Sequence, residues 1–184
     1  MTFDLYHFTP KARQTQILNT TIHHILAAPH TPTKTSTGQL TNRWTFYLIC
    51  TPTKTISLEC RADKNTPGSV LSNGWKATVE IRELEEWGVT NLETDAMGQV
   101  AVELDVRMGL TVADVVTVMV VNGGHRYEFE EGGADGRFWV HSQMEVLLRA
   151  GVLVDRVQVV EAQRMLRILW PEGFELPVVK GVYY

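Results

Sequence analysis

The sequence predicts one α+β domain: an antiparallel sheet meander early in the chain, with about three helices towards the C-terminal half. Three observations carry this expectation. Trp75, Ala77, Val79 and Ile81 alternate apolar with polar residues, the period-two pattern of a half-buried strand, and Val100, Val102, Leu104 and Val106 repeat it. From Val112 onward the apolar residues recur every three or four positions, the period of an amphipathic helix. Strands precede helices with no regular strand–helix alternation, no internal repeat and no low-complexity block.

The bulk numbers agree. A chain of 184 residues buries a real core without staples, so residues 1–184 are read as a single domain. Its 44% hydrophobic and 21% charged residues are ordinary for a globular protein. Seventeen basic against 21 acidic residues give −4, and no basic stripe is present, so nucleic acid is not the expected partner. No apolar run of about 18 residues exists to span a membrane. Met1–His7 lacks the basic and apolar regions of a secretory signal, so a cytoplasmic location is expected. A homodimer stays open.

Taken in order, residues 1–14 show little definition. Ile17–Ala28 fits either helix or strand, and its branched residues favour strand. Pro29 and Pro32 end it, and His30–Asn42 reads as a Thr/Pro/Lys/Gly loop. Trp44–Cys50 is aromatic and branched throughout, the firmest strand. Thr51-Pro52-Thr53-Lys54 turns it into Thr55–Ala62, with Ile56, Leu58 and Cys60 on one face and Thr55, Ser57 and Glu59 on the other. That pairing sets Cys50 opposite Thr55 and Cys60 opposite Thr45, so the thiols do not face each other. Asp63–Asn73 reads as a surface loop, and Glu83–Gly98 shows no sustained period.

Thr111 and Asp114 form a capping-box-like start, with Asp replacing the usual Glu, before Val112, Val115, Val116, Met119 and Val120. Its branched residues lower the helix propensity, so Val112–Asn122 stays open between helix and strand. His125–Glu130 reads as a short strand with Tyr127 and Phe129 inward. Gly132-Gly133-Ala134-Asp135-Gly136 is a turn that releases the chain into a helix carrying Val140, Met144, Leu147 and Leu148 on one face. A last helix starts at Asp155, carries Val159, Ala162, Leu166, Leu169 and Trp170, and ends at Pro171 and Gly173. The apolar tail to Tyr184 is expected across the sheet.

The chemistry-bearing residues are few. Six histidines have no metal spacing, and no glycine-rich phosphate cradle follows a strand, so neither a metal nor another cofactor is expected. Glu59 and His125 lie on strands beside aromatic residues and are candidates for acid–base work. Arg137 at a helix start opposes the helix dipole, which points to an anion or a carbonyl in front of it.

Two segments, Asn42-Arg43-Trp44-Thr45-Phe46-Tyr47-Leu48 and Gly136-Arg137-Phe138-Trp139-Val140, with Leu147 and Gly151, resemble a fungal family of uncharacterised small proteins. That family is similar in turn to the circularly permuted papain-like thiol hydrolases and acyltransferases of the lecithin–retinol acyltransferase type. The resemblance spans residues 15–152 and implies a permuted papain-like fold. It departs from the thiol enzymes at each reacting point. Arg43 stands where their histidine precedes the tryptophan, Gly136 stands where their cysteine precedes the aromatic residue by three, and Glu59 falls near the orienting position. The resemblance thus implies the scaffold without sulfur chemistry.

The expectation for function is a cofactor-free tailoring enzyme of the cyclase or isomerase type, acting on a small molecule of fungal secondary metabolism. Arg43, Glu59, Arg137 and His125 would stabilise charge or move protons, and Trp44, Tyr47, Phe138 and Trp139 would wall the ligand. The alternative is a non-catalytic ligand-binding or interaction protein on the same scaffold. Residual thiol chemistry through Cys50 or Cys60 ranks behind both.

Overall fold

Every strand pair among the described residues is antiparallel, so short turns suffice to join neighbours and one face of the sheet is free for helices. The computed structural model describes residues 10–35, 38–85, 100–130 and 135–184. Residues 1–9, 36–37, 86–99 and 131–134 lie outside the described residues, and with them most of the Glu83–Gly98 stretch and the turn expected at Gly132–Ala134.

The elements are α1 (Lys11–Leu18), β1 (His24–Pro29), β2 (Thr33–Lys34), β3 (Leu40–Thr41), β4 (Trp44–Thr51), β5 (Lys54–Pro67), β6 (Trp75–Glu85) and β7 (Val102–Asp105). They continue with α2 (Val112–Val121), β8 (Tyr127–Phe129), α3 (Arg137–Arg149), α4 (Arg156–Met165), β9 (Ile168–Leu169), β10 (Phe174–Glu175) and β11 (Val182–Tyr183). A seven-stranded curled sheet has the order β11-β8-β6-β5-β4-β1-β7, and β2–β3 and β9–β10 form separate two-stranded pairs. The α+β class is therefore observed, and the described residues hold three helices in the C-terminal half and one more near the start.

Period-two alternation explains the two faces. Phe46 and Leu48 of β4 and Ile56, Leu58 and Cys60 of β5 turn inward, in one core with Trp139, Met144 and Leu147 of α3. Val112, Val115 and Met119 of α2 and Val159 and Ala162 of α4 join that core. The outer face is also buried over its centre, where Leu26, Ala28, Tyr47 and Ile49 form a second cluster. Thr55, Ser57 and Glu59 lie on that face and are buried too.

Several expectations change. Residues 11–18 form a helix where the sequence suggested an undefined segment passing into a strand. Lys11, Ala12, Arg13 and Gln14 are good helix formers, Pro10 presets the backbone just ahead of them, and the Arg13 and Gln14 amides bond the Pro10 carbonyl. The strand begins only at His24. The loop His30–Asn42 contains the short β2–β3 pair. In the first hairpin Ile49, and not Cys50, faces Thr55, because the register shifts between Ile49 and Thr51. Such a bulge absorbs one residue and returns the turn to Thr51 opposite Lys54. Both cysteines are free and buried. β5 runs on to Pro67, through part of the expected Asp63–Asn73 loop, because β6 offers it a partner as far as Trp75.

His125 lies outside β8, exposed in the turn after α2. α4 ends at Met165, so Leu169 falls in β9 and Trp170 follows it. The tail forms an edge strand rather than crossing the sheet: Val182 pairs with Glu128 and Tyr183 with Tyr127. Val112–Val121 resolves as a helix because its cap outweighs its branched residues. Thr111 Oγ1 accepts from the Asp114 amide at 3.3 Å, while Asp114 Oδ2 accepts from the Thr111 amide at 2.7 Å.

That reciprocal cap makes a testable contribution. Thr111→Ala should cost about 1 kcal/mol, read as a lower urea midpoint with an unchanged slope. The Thr111 amide and hydroxyl hold the Asp114 carboxyl below the usual aspartate value. A lowered carboxylate pKa stabilises fully above the unfolded-state value, and the contribution drains away as pH falls through the folded one. The difference between wild type and Thr111→Ala should therefore shrink in acid; a gap that stays constant below that range would contradict the assignment.

Candidate functional site

The outer face of the sheet, near the junction of β1 and β4, carries the densest polar arrangement beside a histidine. Pro29 closes β1 opposite Trp44, and the next amide, that of His30, donates to the Arg43 carbonyl at 2.7 Å. The fully buried Asn42 fixes the His30 backbone from the other side. Its Nδ2 donates to the His30 carbonyl at 2.9 Å and to the Trp170 carbonyl at 2.7 Å, and its Oδ1 accepts from the Trp170 amide at 2.7 Å. Alternation along β4 places Thr45 and Tyr47 on this same face. The His30 Nε2 atom lies 2.8 Å from Thr45 Oγ1 and 3.4 Å from the Tyr47 hydroxyl. Burial first, and the Arg43 guanidinium next, hold the His30 imidazole below its ordinary pKa, so the ring is neutral at pH 7.

Beside it runs a ladder of charge. Glu59 is buried with one carboxylate oxygen against Arg43 Nε and the other 2.8 Å from Arg61 Nη2. Glu80 stands directly opposite Glu59 across the β5–β6 pair. Two carboxylates in that relation repel, and the guanidiniums resolve the conflict: Arg61 reaches Glu80 at 3.4 Å and Arg82 reaches it at 2.5 Å. The row interleaves three arginines with two glutamates. The Arg43 and Arg61 side chains are each 35% exposed, so the guanidiniums remain reachable from solvent.

Arg137 goes elsewhere. It is 2% exposed, and nearly all of its donors are taken inside the chain. Its Nε donates to Asp135 Oδ2 at 2.9 Å, its Nη1 to the carbonyls of Leu166 (3.1 Å) and Leu176 (2.9 Å), and its Nη2 to the Pro177 carbonyl at 3.0 Å. Asp135 also accepts from the Arg137 amide at 3.0 Å and from Thr41 Oγ1 at 2.7 Å. The carbonyls and the anion expected in front of this helix start are therefore the chain's own. Gly136, the residue before α3, has φ +68°, and a Cβ added there would lie 3.2 Å from the Cys60 carbonyl oxygen. A larger residue, a cysteine included, meets both left-handed backbone strain and a crowded strand at that point.

The sequence-derived set thus divides. Arg43, Glu59 and Tyr47 come together, and His30, which the sequence reading passed over, completes their group. Trp44 and Trp139, expected to wall a ligand, are both fully buried in the packed core, with Trp139 Nε1 donating to the Gly124 carbonyl at 2.7 Å. Phe138 packs against the edge of that core and lines a surface cleft. His125 joins none of them. Among the described residues no group of three His, Cys, Asp or Glu side chains has the geometry to hold a metal ion. Burial pushes the Cys50 thiol up to about 11 and the Cys60 thiol well above its ordinary value, so neither is a thiolate at neutral pH.

Residues 23–184, most of the chain, match the family model described as Domain of unknown function (DUF7770). The chain belongs to the DUF7770 family. No curated protein and no solved structure matches it. Among the described residues of this DUF7770 chain no helix is long and apolar enough to cross a membrane.

The cleft beside Phe138 has a volume of about 310 Å³ and is floored by Phe138 and His141 of α3, whose rings lie 6.4 Å apart and nearly parallel. Its walls carry Arg167, Glu175, Val178 and Lys180. No residue of the His30 group lines it. Among these, Phe138 is marked by the sequence; His141 follows it on the same helix, and Arg167, Glu175, Val178 and Lys180 reach the cleft through the fold of the C-terminal segment.

Removing the Arg137 guanidinium should be costly, because it strands a buried carboxylate and three carbonyls. Arg137→Met is expected to lose about 3–5 kcal/mol in urea unfolding, and adding Asp135→Asn should recover part of it. A loss under about 1 kcal/mol would show that the ion pair ties nothing together. Gly136→Ala should cost at least about 1–2 kcal/mol by the same measurement, from the left-handed backbone alone.

Proposed function

We propose that this DUF7770 protein is a cofactor-free small-molecule enzyme of the isomerase or cyclase type, with His30 as its proton-transfer group. The observation that carries the reading is a neutral, half-buried imidazole, held by its backbone and set within hydrogen-bond range of two hydroxyls beside reachable guanidiniums. A neutral imidazole is a competent general base at pH 7, and Tyr47 can relay or return the proton. Arg43 and Arg61 supply positive charge for an oxyanion or enolate developing next to His30, and Glu59 positions both. In this reading Arg137 acts only through the fold, and His125 has no part.

The resemblance to a fungal family directs the choice of substrate towards secondary metabolites. A permuted papain-like ancestry belongs to the same proposal: Gly136 sits at the helix tip where a thiol enzyme would carry sulfur, pressed against the Cys60 carbonyl. A second reading, ligand binding without turnover, is favoured by the cleft beside Phe138, which has no acid–base group of the His30 cluster in its lining.

Purified protein incubated in D2O with linear polyketide-like and terpenoid ketone precursors should exchange or cyclise them. His30→Gln should lose about 100-fold or more of that rate, and Arg43→Gln less. Equal rates for His30→Gln and wild type would remove His30 from the reaction. The rate should rise as pH climbs through the lowered His30 pKa and then level off. NMR titration of the His30 ring should place its midpoint below that of a free histidine, and Arg43→Gln should raise it.

A further inference from the structure

We infer that the cleft between α3 and the C-terminal segment is a binding site for a planar organic monoanion, an aromatic carboxylate of about two fused rings in size. The inference rests on the cleft alone and is independent of any acid–base role for His30.

Three observations converge on that class. The floor is aromatic: the Phe138 and His141 rings lie parallel within 8° with centroids 6.4 Å apart, so both offer ring faces of one orientation to an aromatic ligand. The walls carry two cations that the fold leaves unpaired. Arg167 and Lys180 make no ion pair or side-chain hydrogen bond among the described residues, whereas Arg137, Arg43 and Arg164 all have carboxylate partners. The single carboxylate in the lining, Glu175, sets the charge count. Two cations against one anion leave one positive charge, which a monoanion neutralises and a dianionic phosphate overshoots.

His141 does not add to that count. Burial first, and the Arg167 guanidinium next, hold its imidazole below the ordinary value, so at neutral pH it offers an uncharged ring. A cleft of about 310 Å³ sits at the small end of ligand pockets, too small for a nucleotide cofactor and sufficient for a bicyclic acid.

The site is also built rather than accidental. Arg167 follows α4 directly, and its backbone is held at both ends: its amide donates to the Arg164 carbonyl at 3.1 Å and its carbonyl accepts from the Leu176 amide at 2.6 Å. The β9–β10 pair sets Glu175 opposite Ile168. Pro177, in the cleft wall, is the residue whose carbonyl accepts from Arg137 Nη2. The buried arginine thus positions a wall of the site without touching a ligand. Preorganised walls lower the ordering cost of binding.

The test uses the full chain with 2-naphthoate as probe and 2-naphthamide as its uncharged counterpart. Calorimetry should show saturable 2-naphthoate binding at pH 7, and amide NMR shifts should concentrate at 138–141 and 175–180. Arg167→Gln and Lys180→Gln, both surface changes, should each weaken 2-naphthoate by about tenfold, and 2-naphthamide should bind wild type about tenfold more weakly than 2-naphthoate does. Glu175→Gln should strengthen 2-naphthoate binding. Equal affinity for acid and amide, insensitivity to both cation variants, shifts located elsewhere, or no saturation at millimolar probe would each overturn the assignment.

Discussion

A guanidinium taken out of water has to find its partners inside the protein, and Arg137 finds them in parts of the chain far apart in sequence. Asp135 neutralises it and, through Thr41, reaches the end of β3. The Leu166 carbonyl ties it to the end of α4, and Leu176 and Pro177 tie it to the C-terminal segment. One side chain therefore fixes how α3 enters the core and where the last residues of the chain lie. The cost of burying charge is offset only because the geometry is nearly complete, and that completeness specifies the arrangement.

The sheet solves a related problem on its outer face. Its centre is too well covered for carboxylates to stand alone, so Glu59 and Glu80 are interleaved with Arg43, Arg61 and Arg82. Where the row ends, His30 is left beside Thr45 and Tyr47, and burial and the Arg43 charge outweigh the pull of Glu59 on its proton. The difference between a structural ion ladder and a group poised for proton transfer lies in that last position. It follows from where β1 stops against β4, because Pro29 cannot donate to the ladder and His30 turns out of it.

Local signals were legible in the sequence and non-local ones were not. The alternation in Trp75–Ile81, the cap at Thr111 and Asp114, and the Asp155 cap all depend on residues within one turn or one strand, and they appear where the spacing placed them. The register of β4 on β5 depends on a bulge at Cys50 that carries no signature residue, so the hairpin arithmetic came out one residue off. The grouping of Arg43, Glu59 and Tyr47 could be read because strand alternation and one hairpin bring them together. His30 could not, since its place depends on β1 pairing with β4 across a loop. Arg137 is marked by its position at a helix start, and its carboxylate partner, Asp135, lies two residues away, but its carbonyl acceptors come from 29 to 40 residues further along. Capping chemistry and this ion pair are local, whereas the carbonyls that complete the guanidinium's shell are a property of the whole fold.

The two charge networks differ in one respect that an experimenter can use. The ladder's arginines stand at 35–38% side-chain exposure, while Arg137 is sealed at 2%. Mobile ions penetrate to the first and are excluded from the second. Ionic strength alone therefore separates them: sodium chloride loosens the surroundings of His30 while the clamp beneath the C-terminal segment holds.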